Sequence, residues 1–292
     1  MRALSAALAL ACLACLIASA FFYTRAVERN LSLRQLLRTA LEPSPGPARE
    51  DTVLALARAI YGRTNDVIDP GSLDWYERLE SRSFFNVSTA VSLRHRGHSV
   101  PGGISLGPCG TMSRVLVNAL WELGIPARKL YLFGAPGAPI RRHVLVEFRD
   151  GDRWAVVSPS DSAFAWREPG GRIATAREIA NDSLVFAQVF ETHRGYPITF
   201  ERRARIRWDK LPAPIVSAFR RVLGPEAFRR AQTPRLYDRP RLLFLWISLG
   251  LATASAAGLV ACLRGLARNR SRRHWPPGRR GPGRVRVPYA IP

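Results

Sequence analysis

GPCGTMSRVLVNALWELGIPARKLYLF occupies residues 107–133, and RHVLVEFRDGDRWAVVSPSD occupies residues 142–161. In the first stretch Met112, Val115, Leu116, Ala119, Leu120 and Leu123 recur at helical spacing and make one apolar stripe over 109–123. Gly124 and Pro126 close that helix: glycine accepts the left-handed turn at a helix end, and proline cannot continue the ladder. The period then changes from 3.6 to 2. Residues 128–133, 142–149 and 153–158 predict three strands rich in Val, Leu and aromatic side chains. Asp150-Gly151 between the last two reads as a two-residue hairpin turn, which sets Arg149 against Asp152 and His143 opposite Ser158. A helix followed by an antiparallel meander makes an α+β fold.

The flanking elements are largely helical. Leu31, Leu33, Leu36, Leu37 and Leu41 mark a helix over 26–42, which Pro43-Ser44-Pro45-Gly46-Pro47 ends as a stiff linker. A second helix is expected from Asp51 to about Tyr61, helical character over 75–95, a loop from His98 to Pro108, and another helix around 174–190. A basic amphipathic stretch follows at 212–231, with Ile215, Phe219, Val222, Leu223 and Phe228 on its apolar side. Its Arg pairs suit anionic lipid headgroups and suit a solvated helix face equally well.

Charge and hydropathy decide the setting. The 292-residue chain carries 44 basic and 22 acidic residues, a formal net charge of +22. All the basic residues but Lys129 and Lys210 are Arg. Nine of them lie in the acid-free tail 264–292, directly behind an uncharged run from Leu242 to Leu263. A nucleic-acid-binding protein has no need of such a run, so no nucleic-acid partner is expected. A second uncharged run extends from Leu4 to Phe22. Each covers roughly 30 Å as a helix, the hydrocarbon thickness of a bilayer. The first also describes a signal peptide ending at Ala18-Ser19-Ala20, although its length favours an uncleaved anchor. The positive-inside rule keeps the Arg tail cytoplasmic and puts 23–241 on the other side, in a bacterial inner or cell membrane.

That compartment is oxidising, and Cys109 is the one cysteine of the middle segment; Cys12, Cys15 and Cys262 lie in the apolar runs. A lone thiol there is buried or used. Cys109 opens a helix, where the macrodipole and unpaired N–H groups stabilise a thiolate, and its own N–H is placed as an oxyanion donor. Histidines available as base are His95, His98, His143 and His193; His143 starts the strand after that helix. Along it, His143, Leu145 and Glu147 share one face.

The order Gly107-Pro108-Cys109-Gly110, helix, Leu123-Gly124-Ile125-Pro126-Ala127-Arg128, His143-Val144-Leu145-Val146-Glu147-Phe148, Asp150-Gly151 and Trp154-Ala155-Val156-Val157 resembles the transglutaminase-like core. The likeness covers about residues 95–165. It implies a papain-like architecture, N-terminal helices packed on an antiparallel sheet, here between two transmembrane helices. It also implies a Cys-His-Asp triad with Cys109 as nucleophile and His143 as general base. The implied reaction is acyl transfer through a thioester, ending on an amine or on water, with no cofactor and no metal. The substrate would be an extracytoplasmic protein or peptide amide. Where the family keeps Asp-Pro, this chain has Ser158-Pro159, with Asp161 just beyond. Pro159 ends the strand, so Asp161 can curl back as the acidic partner of His143 with Ser158 a second contact; the other reading of Asp161 is a turn aspartate that accepts from backbone N–H groups. A Ser at 158 would accept the Nδ1 proton. No Gln stands just before Cys109; His98 and Ser105 are the candidates for the side-chain half of an oxyanion hole. Loss of the usual Asp also fits an inactive binding or scaffold module of a cell-envelope assembly.

The expected organisation is an N-terminal anchor or signal peptide over 1–25, a helix and linker over 26–50 and a transglutaminase-like domain over 51–200. A basic juxtamembrane segment over 201–240, a transmembrane helix over 241–263 and a cytoplasmic tail over 264–292 follow. Both termini are then cytoplasmic. A C-terminal reporter fusion should be active only in its cytoplasmic form; activity confined to the outside form contradicts the orientation.

Overall fold

The computed structural model describes residues 2–42, 48–64, 108–134, 142–161, 163–192, 198–208 and 211–273. The linker 43–47, the helical stretch 75–95, His95, His98, Ser105 and His193 lie outside them. Seven α-helices are described: α1 (Arg2–Leu41), α2 (Arg49–Thr64), α3 (Pro108–Glu122), α4 (Ala176–Asn181), α5 (Ser183–Thr192), α6 (Ala213–Arg230) and α7 (Pro240–Arg273). Four strands, β1 (Ala127–Gly134), β2 (Arg142–Asp150), β3 (Arg153–Val157) and β4 (Ile198–Ala204), make an antiparallel sheet in the order β3-β2-β1-β4. The fold is α+β, and it divides into two compact units, one of Phe22–Leu243 and one holding the residues up to Phe21 and from Phe244.

In the larger unit α3 is buried nearly all round. Met112, Val115, Leu116, Val117, Ala119 and Leu120 are fully enclosed with Leu33 and Leu36 of α1 and Val53, Leu56 and Ile60 of α2. These pack on the sheet face that carries Val146 and Phe148. The helix ends as the Gly124 signal predicts: Gly124 has φ +72°, its N–H donates to Trp121 O at 3.1 Å, and Ile125 N–H donates to Leu120 O at 2.8 Å. Leu123 falls beyond the last turn and is exposed; Ile125 takes its place in the core. On the opposite sheet face Leu130, Leu132, Leu145 and Val156 meet Trp166, Ile179, Val185 and Phe200.

Four details differ from the sequence reading. The helix expected at 26–42 is the second half of α1, which runs unbroken from Arg2. The helix expected at 174–190 is two: Asp182 ends α4 and its Oδ1 accepts from Leu184 N at 2.8 Å, so one acid stops one helix and caps the next. Strand β4 has no counterpart among the strands the sequence predicts. The β2–β3 register is also shifted by two, because Asp150 pairs with Arg153 and Val146 with Val157, leaving Gly151-Asp152 as the loop. Gly151 has φ +58° and is the first loop residue, the glycine position of a type II′ turn, so the Asp-Gly pair straddles the turn instead of forming it. Ser158 therefore does not stand opposite His143, and the ladder stops before either.

Buried ions fasten the chain ahead of α7 to this core. Asp238, almost fully enclosed, pairs with Lys129 of β1 and with Arg114 of α3 at 3.5 Å. Asn118 Nδ2 donates to Asp238 O at 3.0 Å, and Arg239 reaches Asn118 Oδ1 and Glu122 Oε1 at 3.0 and 2.8 Å. Burial depresses the Lys129 ammonium to about 8, with Asp238 opposing and Arg114 reinforcing the shift.

The smaller unit pairs the ends of α1 and α7. Both helices are long and apolar enough to cross a membrane. They run antiparallel, with Leu8 against Gly258, Cys12 Sγ 3.6 Å from Ala252 O, and Ser19 Oγ 2.9 Å from Ser248 Oγ. Small and hydroxylated residues at the contact let apolar helices approach closely. Leu10, Leu13, Ile17, Trp246, Leu251 and Val260 point outward.

The buried ion cluster sets a ranking. Asp238→Asn leaves Arg114 and Lys129 enclosed without their counter-charge and should cost about 3–5 kcal/mol. Lys129→Met leaves Asp238 paired with Arg114 and should cost less. Lys129 binds its proton more weakly folded than unfolded, so its charge opposes folding below pH about 8, and the cost is relieved as pH rises towards the ordinary 10.5. Thermal melts of the detergent-solubilised chain at pH 7 and 9.5 check both; equal losses for the two variants contradict it.

Candidate active site

Strand β2 extends past the end of its neighbour. Its ladder with β3 ends at Val146↔Val157, while its pairing with β1 continues to Leu132↔His143 and Phe133↔Arg142. The β3 side of β2 is thus an open edge at Val144. A strand residue sends its N–H and C=O to the same side, and buried backbone groups need partners. The N-terminal turn of α3 supplies them: Ser113 Oγ donates to Val144 O at 2.9 Å, and the backbone of Val144 bonds to the Cys109 sulfur. Ser113 stands four residues after Cys109, one helical turn on, so the two act on the same strand residue.

His143 is the next residue of that edge. Burying it among Val144 and the end of α3 puts the imidazole against the Cys109 thiol, with a side-chain hydrogen bond between them. The acid comes from the chain that leaves β3. Pro159 cannot donate to a ladder, and the backbone folds over itself: Ser158 N–H donates to Phe164 O at 2.7 Å and Phe164 N–H to Asp161 O at 3.0 Å. Phe164 has φ +60°, a conformation that an aromatic residue adopts at a cost. Its ring holds the loop in place, edge-on to Tyr61 of α2 at 5.4 Å between centroids. Asp161 is thereby turned inward, and its Oδ2 lies 3.2 Å from His143 Nε2. Asp161 meets Nε2, whereas the sequence reading has Ser158 accepting from Nδ1. Ser158 is fully buried beside this loop, and its hydroxyl meets Ser160 Oγ at 3.3 Å.

The electrostatics follow from these contacts. Burial by itself lowers the basicity of His143, but hydrogen bonds to Asp161 and Cys109 and their charges outweigh it, and the imidazole holds its proton well above the ordinary range. Burial by itself raises the Cys109 thiol, yet the His143 hydrogen bond and charge and the backbone of Val144 and Gly110 bring it below its ordinary value. Both shifts favour a thiolate beside an imidazolium. His143 and Asp161 are buried, and Cys109 is the most exposed of the three. Such a triplet can attack a carbonyl carbon and return a proton to the leaving group. Among the described residues no group of three or more His, Cys, Asp or Glu side chains is arranged to hold a metal ion.

The structure brings together Cys109, His143 and Asp161 and leaves Ser158 in the supporting loop. The sequence reading missed Ser113, which its i+4 spacing from Cys109 could have revealed, and Phe164, whose role has no local signal.

No family model matches this chain, and no curated protein sequence matches it. A solved structure described as "Crystal structure of a TGase" is similar to it at 15% identity and a TM-score of 0.32, over 55% of this chain and 36% of the other. The chain thus spans about a third of that protein.

Proposed function

We propose that this chain is a membrane-anchored, transglutaminase-like thiol enzyme acting on extracytoplasmic protein or peptide amides. The observation that carries the reading is the arrangement Cys109–His143–Asp161, in which, each against its burial, the imidazole is raised by Asp161 and Cys109 and the thiol is lowered by His143. The Cys109 thiolate attacks the amide carbonyl carbon, and the oxyanion that forms lies near the N–H groups that open α3. His143 gives its proton to the departing amine, leaving a thioester on the sulfur. An incoming amine or water then loses its proton to His143 and attacks the thioester, which frees the thiolate. Asp161 acts through His143, holding the ring by Nε2 and stabilising its charge. Ser158 is a positioning residue in this scheme. The antiparallel apolar pair at the ends of α1 and α7 supports an anchor with both termini on one side. The second reading, an inactive scaffold module, is favoured by one observation, Ser158 at the position where the family keeps its acid.

Alkylation of Cys109 by iodoacetamide, followed by peptide mass spectrometry across pH, separates the two. The rate should rise with a midpoint below the ordinary thiol range and stay high above it, whereas amide turnover should fall again as His143 loses its proton near pH 9. His143→Ala leaves burial as the main influence on the sulfur, so its midpoint should move up. At neutral pH Asp161→Asn should slow alkylation by about tenfold or more, while Ser158→Ala should change it by less than about threefold. A midpoint at the free-thiol value that His143→Ala does not move refutes the relay.

A further inference from the structure

Helix α6 carries an apolar face that, among the described residues, meets the larger unit only at Phe219. Of its 18 residues only Phe228 is buried. Ile215, Phe219, Val222 and Leu223 are 44%, 46%, 83% and 42% exposed, although each would normally seek a core. With 3.6 residues per turn these four and Val216 fall within an arc of about 120°, the width of an amphipathic stripe. Exposed Arg220 borders the stripe and Arg221 lies across from it.

The helix is built in two parts. Gly224, at φ +74°, and Pro225 break it, and the last turn returns Phe228 to stack on Trp208 at 4.3 Å. Phe219 touches the same indole at 5.8 Å, which fixes the long part at one point and leaves Val222 outward. Arg229 and Arg230 are tied to Glu226 at 2.9 and 2.8 Å. Glu226 is the single acid of α6, beside four Arg.

We infer that the 213–223 part of α6 lies in the interface of an anionic bilayer, with the Ile215–Phe219–Val222–Leu223 face among the acyl chains and Arg220 and Arg221 at the lipid phosphates. This rests on the reading of α7 as a span. Seventeen residues, 224–240, separate this part of α6 from the apolar stretch that begins at Arg241, and seventeen residues reach at most about 60 Å. A bilayer is therefore within reach of this helix whatever else it meets. Between 201 and 241 the chain has twelve basic residues against four acidic ones, which matches a negative surface. An exposed stripe of branched and aromatic side chains flanked by Arg is the pattern of a helix lying in the membrane plane.

The test uses the full-length chain with its four native cysteines replaced by Ala, in vesicles of phosphatidylcholine alone or mixed with phosphatidylglycerol. A fluorophore on Val222→Cys is challenged by doxyl-labelled lipid and by aqueous iodide. In the mixed vesicles its emission should shift to the blue, doxyl lipid should quench it and iodide should not. Adding Arg220→Glu and Arg221→Glu should reverse all three. Iodide quenching in both vesicle types overturns the inference, and so does protection from both quenchers, which would mean that a second copy or another protein surface covers the face. The same fluorophore on Leu251→Cys separates the premise from the inference. If doxyl lipid does not reach it, α7 is not a span and the premise fails; if it is reached while Val222→Cys stays in water, the inference alone fails.

Discussion

The unpaired edge of β2 at Val144 is the constraint on which the candidate site is built. Because β3 stops at Val157, a buried N–H and C=O are left without a strand partner, and each would cost on the order of 1–3 kcal/mol if unmet. The first turns of α3 meet both, one with the Ser113 hydroxyl and one with the Cys109 sulfur. The same contact that completes the sheet thus places a thiol at a helix N-terminus beside His143. Sheet closure thus places the Cys109 thiol beside His143, while Asp161 is brought to the ring by the loop that follows β3.

Around that edge the fold spends charge in unusual places. Glu147, on the His143 face, is almost fully enclosed and accepts from Arg128 at 2.6 Å and from both Nε and Nη2 of Arg205 at 2.7 and 3.0 Å. The Arg128 guanidinium carbon also lies over Trp154, 3.7 Å from the ring centroid. On the other face Asp238 neutralises Arg114 and Lys129, one from the candidate catalytic helix and one from the central strand. Asn118 and Glu122 also connect α3 to Arg239, just ahead of α7.

Much of this was legible locally. The apolar spacing of 112–120 located α3, Gly124 located its end, and the change to period 2 located β1, β2 and β3. The hairpin register was read two residues off because Asp-Gly fits either side of a tight turn. A shift of two preserves the face of every side chain, so His143 came out on the correct side; a shift of one would have inverted it. Pro159 gave the break that lets Asp161 approach the ring, although the nitrogen it meets depended on a loop path no local pattern encodes. The rest lay at long range. Arg114 and Asn118 sit on an apolar helix with no visible reason, since Asp238 is more than a hundred residues away. β4 carries three charged residues in seven and pairs with β1 across a register shift, so alternation could not reveal it.

The central claim is that Cys109 and His143 rest as an ion pair. Nitrogen-15 NMR of the His143 imidazole in the full-length protein reads this directly, because imidazolium and neutral imidazole differ at both ring nitrogens. The predicted result is a doubly protonated ring at pH 7 that loses its proton only near pH 9, and at lower pH in Cys109→Ala, where the thiolate is gone. A neutral ring at pH 7, with one protonated nitrogen and the same titration in Cys109→Ala, would contradict it.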